Sequence, residues 1–501
     1  MKFCGFGICT GGGLVVYYTN VTEHCKQEPI MELKDRLAAA GQEHLLAWWN
    51  ELNETEQAEL TAQLEEIDFA ELEKLIREYV LVKPKTAIPD DLGPAPYFPL
   101  IPKDDAQEEL YEKARNWGEE LLKAGKVSCL TVAGGQGTRL GFDGPKGTYP
   151  IGPVTGRTLF QYFAEGIMRA GKKYGRPITW YVMTSLLNRE ATEKFFKENN
   201  FFGLDPLQVF FFTQGTMPAV GYDGKLLMAS KSSLSLSPNG HGGTLLALRK
   251  SGALDRMKAE GVEHISYFQV DNPLIPVVNP LFIGLHALEN SQMSAIMLAK
   301  TGPFEKLGNF CVTNGHIEII EYSDLPKELA ESRNEDGSLR FIAGSPAIHV
   351  ISRAFVEELT AGGSLKLPWH RADKKIPFID AQGNAVSPAE PNGVKLESFI
   401  FDAMPLAERT MILEGDRNAM FAPTKNPTGV DSVESCRAML VERDAKYLEA
   451  AGVKIPRKAD GTVDALIELA PVNVIDLADA KAYVEKTGLK AITAGAKVHL
   501  E

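Results

Sequence analysis

Two glycine-rich turns, a few cations and one aspartate are the residues in this chain whose types and spacing could do chemistry. The first turn, Gly134-Gly135-Gln136-Gly137, follows VSCLTVA (127–133), a run of apolar and β-branched residues that predicts a short buried strand. Glycine lets backbone N–H groups turn inward around an oxyanion with no Cβ in the way, so a strand running into such a turn can cradle a phosphate. A glycine-rich turn alone is more often structural. Here Arg139 and Lys146 place two positive charges beside it. The turn lacks the Gly-Lys-Ser/Thr ending of a P-loop, and Gly135-x-Gly137-x-x-x-Gly141 misses the dinucleotide spacing G-x-G-x-x-G. A second turn, SPNGHGG (237–243), stands before a helical stretch, and Asp271 directly follows the strand-like HISYFQV (264–270). A carboxylate at a strand end is a simple ligand for a divalent cation that neutralises phosphate oxygens. It can equally cap the Asn-Pro turn that comes next.

With Pro145 and Lys146 in register, GGQGTRLG followed by PKG resembles the signature of the eukaryotic-type UDP-sugar pyrophosphorylases, on the side of the N-acetylhexosamine enzymes. The likeness runs from about Met31 to about Asp431. It implies a nucleotidyltransferase that joins UTP to a sugar 1-phosphate and releases pyrophosphate. In that frame Val132, Ala133, Gly134, Gly135, Lys146, Gln214, Gly240, Asp271 and Lys395 match the UTP-binding positions, and Asp271 holds Mg2+. Gln214 ends QVFFFTQ before GTMPAV, and its amide offers the donor and acceptor that a uracil edge requires. His241, Glu321, Tyr322, Ser345 and Lys425 fall on the sugar side, where a carboxylate suits vicinal hydroxyls because it accepts two hydrogen bonds. Arg139, Lys146 and Lys425 form the expected catalytic set, with Asp402 in FIFDAM as a weaker second candidate for the metal.

Two positions depart from the family pattern. A Gly-Asn pair is usual where this chain has Gly240-His241, and Ala-Gly-Asn where it has Ala343-Gly344-Ser345. His241 either hydrogen-bonds the sugar or phosphate or caps the helix after it. Three readings stay open: a UDP-N-acetylhexosamine pyrophosphorylase, a UDP-glucose, UDP-galactose or broad UDP-sugar pyrophosphorylase, and an inactive sugar-nucleotide-binding protein on the same fold. The basic stretch LPWHRADKKIPFID, with Lys374 and Lys375, reads as a strand edge or surface. A sugar 1-phosphate is already ionised at neutral pH, so the implied reaction needs no general base. No Ser-His-Asp or paired-carboxylate constellation is expected.

Positioning these residues requires an alternation of strands and helices, and the chain supplies it. After helix at 106–124 and the strand at 127–133 come a helix at 158–170, a strand ITWYVM (178–183), a helix from Asn188 to Asn199 opened by an Asn cap, and a strand QVFFFT (208–213). Helix returns near 243–258, and strands follow at 264–270 and 293–299. The pattern predicts an α/β fold with a doubly wound, mostly parallel, Rossmann-like sheet of the nucleotide-diphospho-sugar transferase type, its ligands at the carboxyl ends of the strands. Four segments are expected: an unassigned extension over 1–30, helices and a Pro-rich connector over 31–104, the catalytic domain over 105–430, and a small C-terminal region over 431–501. The extension reads as upstream sequence rather than a signal segment, since no convincing small-x-small cleavage site follows its apolar part.

Composition bounds the rest. The 501 residues contain no apolar run long enough for a membrane span, and a formal net charge of −13 argues against nucleic acid or an anionic membrane as partner. An acidic protein with anionic substrates must concentrate its Lys and Arg at the site. Six cysteines without regular spacing indicate a reducing compartment, the cytoplasm, and neither a disulfide framework nor a zinc site. The expected state is a monomer or weak homo-oligomer, with the C-terminal region packing on the core or supporting assembly.

Overall fold

The structure is a computed structural model that describes residues 31–84 and 88–501, so the extension expected over 1–30 lies outside the described residues. The chain forms two compact units. The larger comprises Lys85–Met217, Ser237–Ala372 and Leu396–Glu501, and the smaller gathers the described residues through Pro84 with Pro218–Leu236 and Asp373–Lys395.

The larger unit is a mixed α/β fold around an 11-stranded sheet. One wing is parallel: β1 (Val127–Val132), β2 (Trp180–Thr184), β3 (Val209–Thr213) and β4 (His264–Gln269) lie in the order β4-β1-β2-β3. Crossover helices make this possible, because parallel neighbours need a long connection. Helix α1 (Asp105–Lys123) precedes β1, α2 (Leu159–Tyr174) joins β1 to β2, α3 (Arg189–Glu198) joins β2 to β3, and α4 (Gly243–Lys250) precedes β4. Thr158 accepts a hydrogen bond from the Gln161 N–H at the start of α2, and Gly175 ends that helix with φ 74°.

The other wing differs from the regular alternation. Strands β5 (Met293–Ala299), β6 (Gly308–Thr313), β7 (His316–Ile320), β8 (Ala343–Ser345) and β9 (His349–Ser352) are tied mostly by antiparallel pairs, while β10 (Thr410–Glu414) runs parallel to β5. Strand β9 enters between β4 and β5, antiparallel to both. A tight turn enforces the β6–β7 hairpin, with Asn314 and Gly315 at φ 51° and 78°. The Pro-rich segment also contributes an edge pair, Gly93–Pro94 against Cys311–Val312.

Both sheet faces are buried, and the period of two sorts the aromatic residues between them. Trp180 and Phe268 join Phe163 and Phe196 on one face, while their neighbours Tyr181 and Tyr267 join Phe212 and Phe310 on the other. Helix α1 packs on α5 (Pro280–Leu288) at backbone contact. A Cβ at Gly118 would stand 1.9 Å from the Pro280 oxygen, and one at Gly284 would stand 1.7 Å from that of Ala114. Helices α6 (Val433–Ala450) and α7 (Leu477–Thr487) cover a parallel pair, Leu466–Leu469 with Lys497–Leu500, around Leu448, Ile467 and Leu469.

The smaller unit is helical over 31–39 and again over Glu54–Glu65 and Phe69–Leu75. The second of these starts at Glu54, because the Asn53 side chain caps it and Glu56 reaches back to the Asn53 N–H. Its buried residues include Leu60, Leu64, Leu72 and Leu75, with Val220 and Val394 from an antiparallel strand pair. Among the described residues no helix is long and apolar enough to cross a membrane.

Candidate active site

Strand β1 stops where its ladder ends, with the Val132 oxygen taking the Val270 N–H and the Ala133 N–H going to the Met183 oxygen. The glycine turn that follows folds back on itself. The Gly137 N–H bonds the Gly144 oxygen at 2.9 Å, and the Lys146 N–H bonds the Gly135 oxygen at 3.0 Å. A Cβ at Gly134 would lie 2.4 Å from Gln214 Oε1, so only glycine lets the buried Gln214 side chain lie against this turn. At Gly135 a Cβ would meet nothing within 4 Å, which leaves open space for a ligand.

Asn188 holds this arrangement. The helix it precedes receives no capping bond from its side chain, contrary to the expected Asn cap. Its amide instead donates to the Ala133 oxygen at 2.9 Å and the Gly135 oxygen at 3.3 Å, and accepts from the Ser185 N–H. Asn188 is fully buried, so its bonds to the Ala133 oxygen and the Ser185 N–H satisfy groups that water cannot reach.

The turn delivers Lys146 to the end of β4. Lys146 Nζ lies 3.0 Å from Asp271 Oδ2, with both side chains largely buried. Burial pushes the Asp271 carboxyl up, but Lys146 and then Lys425 outweigh it and hold the group below the ordinary carboxylate range. Asp271 is therefore ionised at neutral pH. The adjacent Asn272, also buried, ties the loop that carries Lys425, donating to the Met420 oxygen and accepting from the Ala422 N–H. The Thr424 N–H donates to the Asp271 oxygen at 2.8 Å. Lys425 Nζ then lies 3.9 Å from Asp431 and 5.8 Å from the Phe421 ring centroid. Arg139 is exposed.

The second glycine turn packs on Ser398. The Gly242 N–H donates to the Ser398 oxygen, the Ser398 N–H to the Asn239 oxygen, and a Cβ at Gly240 would lie 2.2 Å from the Ser398 oxygen. His241 does not cap α4 with its ring. Its Nδ1 accepts the Ile400 N–H at 3.2 Å, which leaves the proton of the neutral ring on Nε2 as a donor. Burial, with His370 second, pushes the imidazole down to about 4, so the ring is neutral at physiological pH. His241 and His370 both stack on Phe399, at 5.2 and 4.2 Å between ring centroids. His370 Nε2 lies 2.8 Å from Asp402 Oδ2, which also receives the Phe399 N–H. Asp402 is thereby engaged as a hydrogen-bond acceptor, and the stretch expected to be edge or surface contributes His370 to this wall.

Register on the antiparallel wing gathers the remaining sugar-side residues. Gly308 pairs with Ser345, and Glu321 follows directly on β7 beside them. Glu321 Oε1 would be 3.5 Å from a Cβ at Gly308. Burial pushes its carboxyl up, His370 opposes this, and Asp324 and Asp402 add to it. Tyr322 is exposed. The larger unit thus holds Val132, Ala133, Gly134, Gly135, Arg139, Lys146, Gln214, Gly240, His241, Asp271, Glu321, Tyr322, Ser345 and Lys425, whereas Lys395 belongs to the smaller unit. Sequence reading missed Asn188 and Asn272 as clamps and Phe399 and His370 as a stacked wall. An Asn after a strand reads as a cap or turn residue, and no sequence pattern announces a stack between residues 241, 370 and 399.

Known proteins resemble this chain in sequence and in fold. The family model described as UTP–glucose-1-phosphate uridylyltransferase matches residues 99–479. The human UDP-N-acetylhexosamine pyrophosphorylase-like protein 1 is 36% identical over 468 residues, covering 88% of this chain and 92% of that protein. The Arabidopsis thaliana UDP-N-acetylglucosamine diphosphorylase 2 is 34% identical, covering 85% and 86%. The Saccharomyces cerevisiae UDP-N-acetylglucosamine pyrophosphorylase is 34% identical, covering 84% and 91%. A crystal structure of the Trypanosoma brucei UDP-N-acetylglucosamine pyrophosphorylase with an inhibitor superimposes with a TM-score of 0.75 at 24% identity, over 96% of this chain and 99% of that one, a likeness of fold. A glycine turn at the end of a parallel strand, a lysine on the aspartate of the neighbouring strand and a family match across most of the chain agree, and the chain belongs to the UTP–glucose-1-phosphate uridylyltransferase family.

Proposed function

We propose that this nucleotidyltransferase joins UTP to an N-acetylhexosamine 1-phosphate, giving UDP-N-acetylglucosamine or its epimer and pyrophosphate. The observation that carries the reading is the cluster of Lys146, Asp271 and Lys425 at the carboxyl ends of parallel strands, beside the open face of Gly135. An oxygen of the sugar 1-phosphate attacks the α-phosphorus of UTP. A new P–O bond forms as the bond from that phosphorus to the bridging oxygen breaks, and pyrophosphate leaves on the opposite side. Catalysis reduces to positioning and charge stabilisation. Arg139 and Lys146 hold the triphosphate and the departing pyrophosphate, Lys425 holds the attacking phosphate, and Gln214 reads the uracil.

Among the described residues no three His, Cys, Asp or Glu side chains form a self-sufficient metal site. Mg2+ does not need one, since it is commonly held by one or two carboxylates, substrate phosphates and water. An ionised, largely buried Asp271 at the phosphate end of the site fits that mode. Bound there, the ion would neutralise phosphate oxygens. The cytoplasm is the compartment we assign, because Cys129, Cys311 and Cys436 are buried free thiols, which suits a reducing environment.

A second reading, a UDP-glucose, UDP-galactose or broad UDP-sugar pyrophosphorylase, is favoured by His241 and Ser345 at two sugar-side positions. A neutral His241 presents a single ring donor, and a serine hydroxyl is shorter than the amide it replaces. The deciding experiment measures pyrophosphate release from UTP and Mg2+ with the 1-phosphates of N-acetylglucosamine, N-acetylgalactosamine, glucose and galactose. Preference for the N-acetylated pair supports the proposal, and preference for plain hexoses selects the second reading. No release with any sugar would leave a sugar-nucleotide-binding protein.

A further inference from the structure

The two lysines of the proposed site reach it on separate segments, and one helix touches both. Helix α6 begins just after the Lys425 loop, with the Ser432 hydroxyl accepting the Ser435 N–H at its start. The Lys425 N–H is bonded to the Asp431 oxygen at 2.7 Å, so this loop closes directly onto the helix. One turn into α6, Arg437 reaches back across 286 residues. Its Nε donates to the Ile151 oxygen at 3.2 Å, and one terminal nitrogen donates to the Pro150 oxygen at 2.9 Å. These carbonyls lie just beyond the short turn Lys146–Thr148, whose Lys146 oxygen accepts the Tyr149 N–H. Beyond them Glu468, fully buried, accepts the N–H groups of Val154 and Thr155, each at 2.8 Å, and fixes the next turn of the same segment.

The contacts close a ring. Lys146 meets Asp271, the Asp271 oxygen meets the Thr424 N–H, the Lys425 loop leads into α6, and Arg437 on α6 returns to the chain that carries Lys146. We propose that Arg437 is a positioning residue that sets the separation between Lys146 and Lys425, and through it the alignment of the triphosphate with the attacking phosphate. A planar guanidinium suits this role, because two donors in a fixed fork hold two successive carbonyls in one orientation where a lysine would reach only one. The inference rests on the assignment of both lysines to the reaction.

The test is a double-mutant cycle on the full chain, read as pyrophosphate release with saturating UTP, Mg2+ and N-acetylglucosamine 1-phosphate, or whichever sugar 1-phosphate the panel selects. Arg437→Met should lower kcat about tenfold, with the KM values for both substrates and the thermal midpoint nearly unchanged, and Arg437→Lys should recover part of the loss. In a Lys146→Met background, Arg437→Met should have little further effect, because residues acting through one another do not add. Normal kcat in Arg437→Met, or the same tenfold loss with and without Lys146, would overturn the positioning role. Full activity in Lys146→Met alone would instead remove the reading on which it rests. If Arg437→Met proves unstable, Arg437→Lys with its normal fold carries the same comparison.

Discussion

Replacing Lys146 by Met tests the site most directly, because the structure gives both halves of the expected loss. Lys146 Nζ and Asp271 Oδ2 are 3.0 Å apart and largely buried. At an effective dielectric constant of about 20, unit charges at that distance attract by about 5.5 kcal/mol before desolvation offsets part of it. Removing one preorganised charge from a developing anion costs about 3 to 4 kcal/mol, or about a hundred- to a thousandfold in kcat. The variant should therefore release pyrophosphate at under about one hundredth of the wild-type rate at saturating substrate. Stability should fall as well, since Asp271 keeps its burial and loses its nearest partner, although Lys425 still faces it. The sign with pH follows from the lowered carboxyl. Its contribution to stability is present above the unfolded value and is lost as pH falls toward the folded one. In Lys146→Met the folded value rises, so this contribution shrinks and stability falls less steeply with acid than in the wild type. Steady-state kinetics with thermal melts between pH 4 and 7 read both effects. A folded variant with kcat within about threefold of wild type would refute the assignment, because no lost transition-state contact of this kind is so small.

Three further outcomes are expected. Chelation should abolish pyrophosphate release, Mg2+ should restore it, and Asp271→Asn should need more than about tenfold higher Mg2+ for half-activity; a wild-type Mg2+ response in that variant would remove Asp271 as the ligand. Asn188→Ala takes a buried hydrogen bond from the Ala133 oxygen and another from the Ser185 N–H, which should cost about 1 to 3 kcal/mol in urea unfolding and raise the KM for UTP more than it lowers kcat. His241, pushed down to about 4 from an ordinary 6.5 by burial, takes up a proton in the unfolded chain before the folded one. Wild-type stability should therefore decline as pH falls through this interval, and His241→Asn should show a shallower decline in calorimetric scans.

Much of the site was legible in the sequence because local chemistry fixed it. The strand before Gly134, the glycines themselves and the aspartate that closes HISYFQV are set by residue type and period, and the structure finds β1 and β4 as parallel neighbours ending side by side. Alternation of strand and helix likewise announced the parallel wing of the sheet. Strand β9 escaped, because antiparallel insertion between β4 and β5 leaves no crossover helix to mark it. Lys395 was grouped with the UTP contacts by motif, yet it belongs to a unit assembled from three separate segments, a partition that no composition shift reveals.

What the sequence determined by itself was the inventory: which side chains can carry positive charge, ionise or turn without a Cβ. The tertiary structure decided their partners and therefore their states. Asp271 is ionised because lysines 125 residues before it and 154 after it converge on a buried carboxylate. His241 is neutral because burial strips its water and the Ile400 N–H occupies Nδ1. Asn188 clamps a loop instead of capping its helix, because folding brings the Ala133 and Gly135 carbonyls within reach of a side chain that the local sequence offers to the helix. Charge state and hydrogen-bond choice depend on distance and dielectric, and both are set only when remote segments meet.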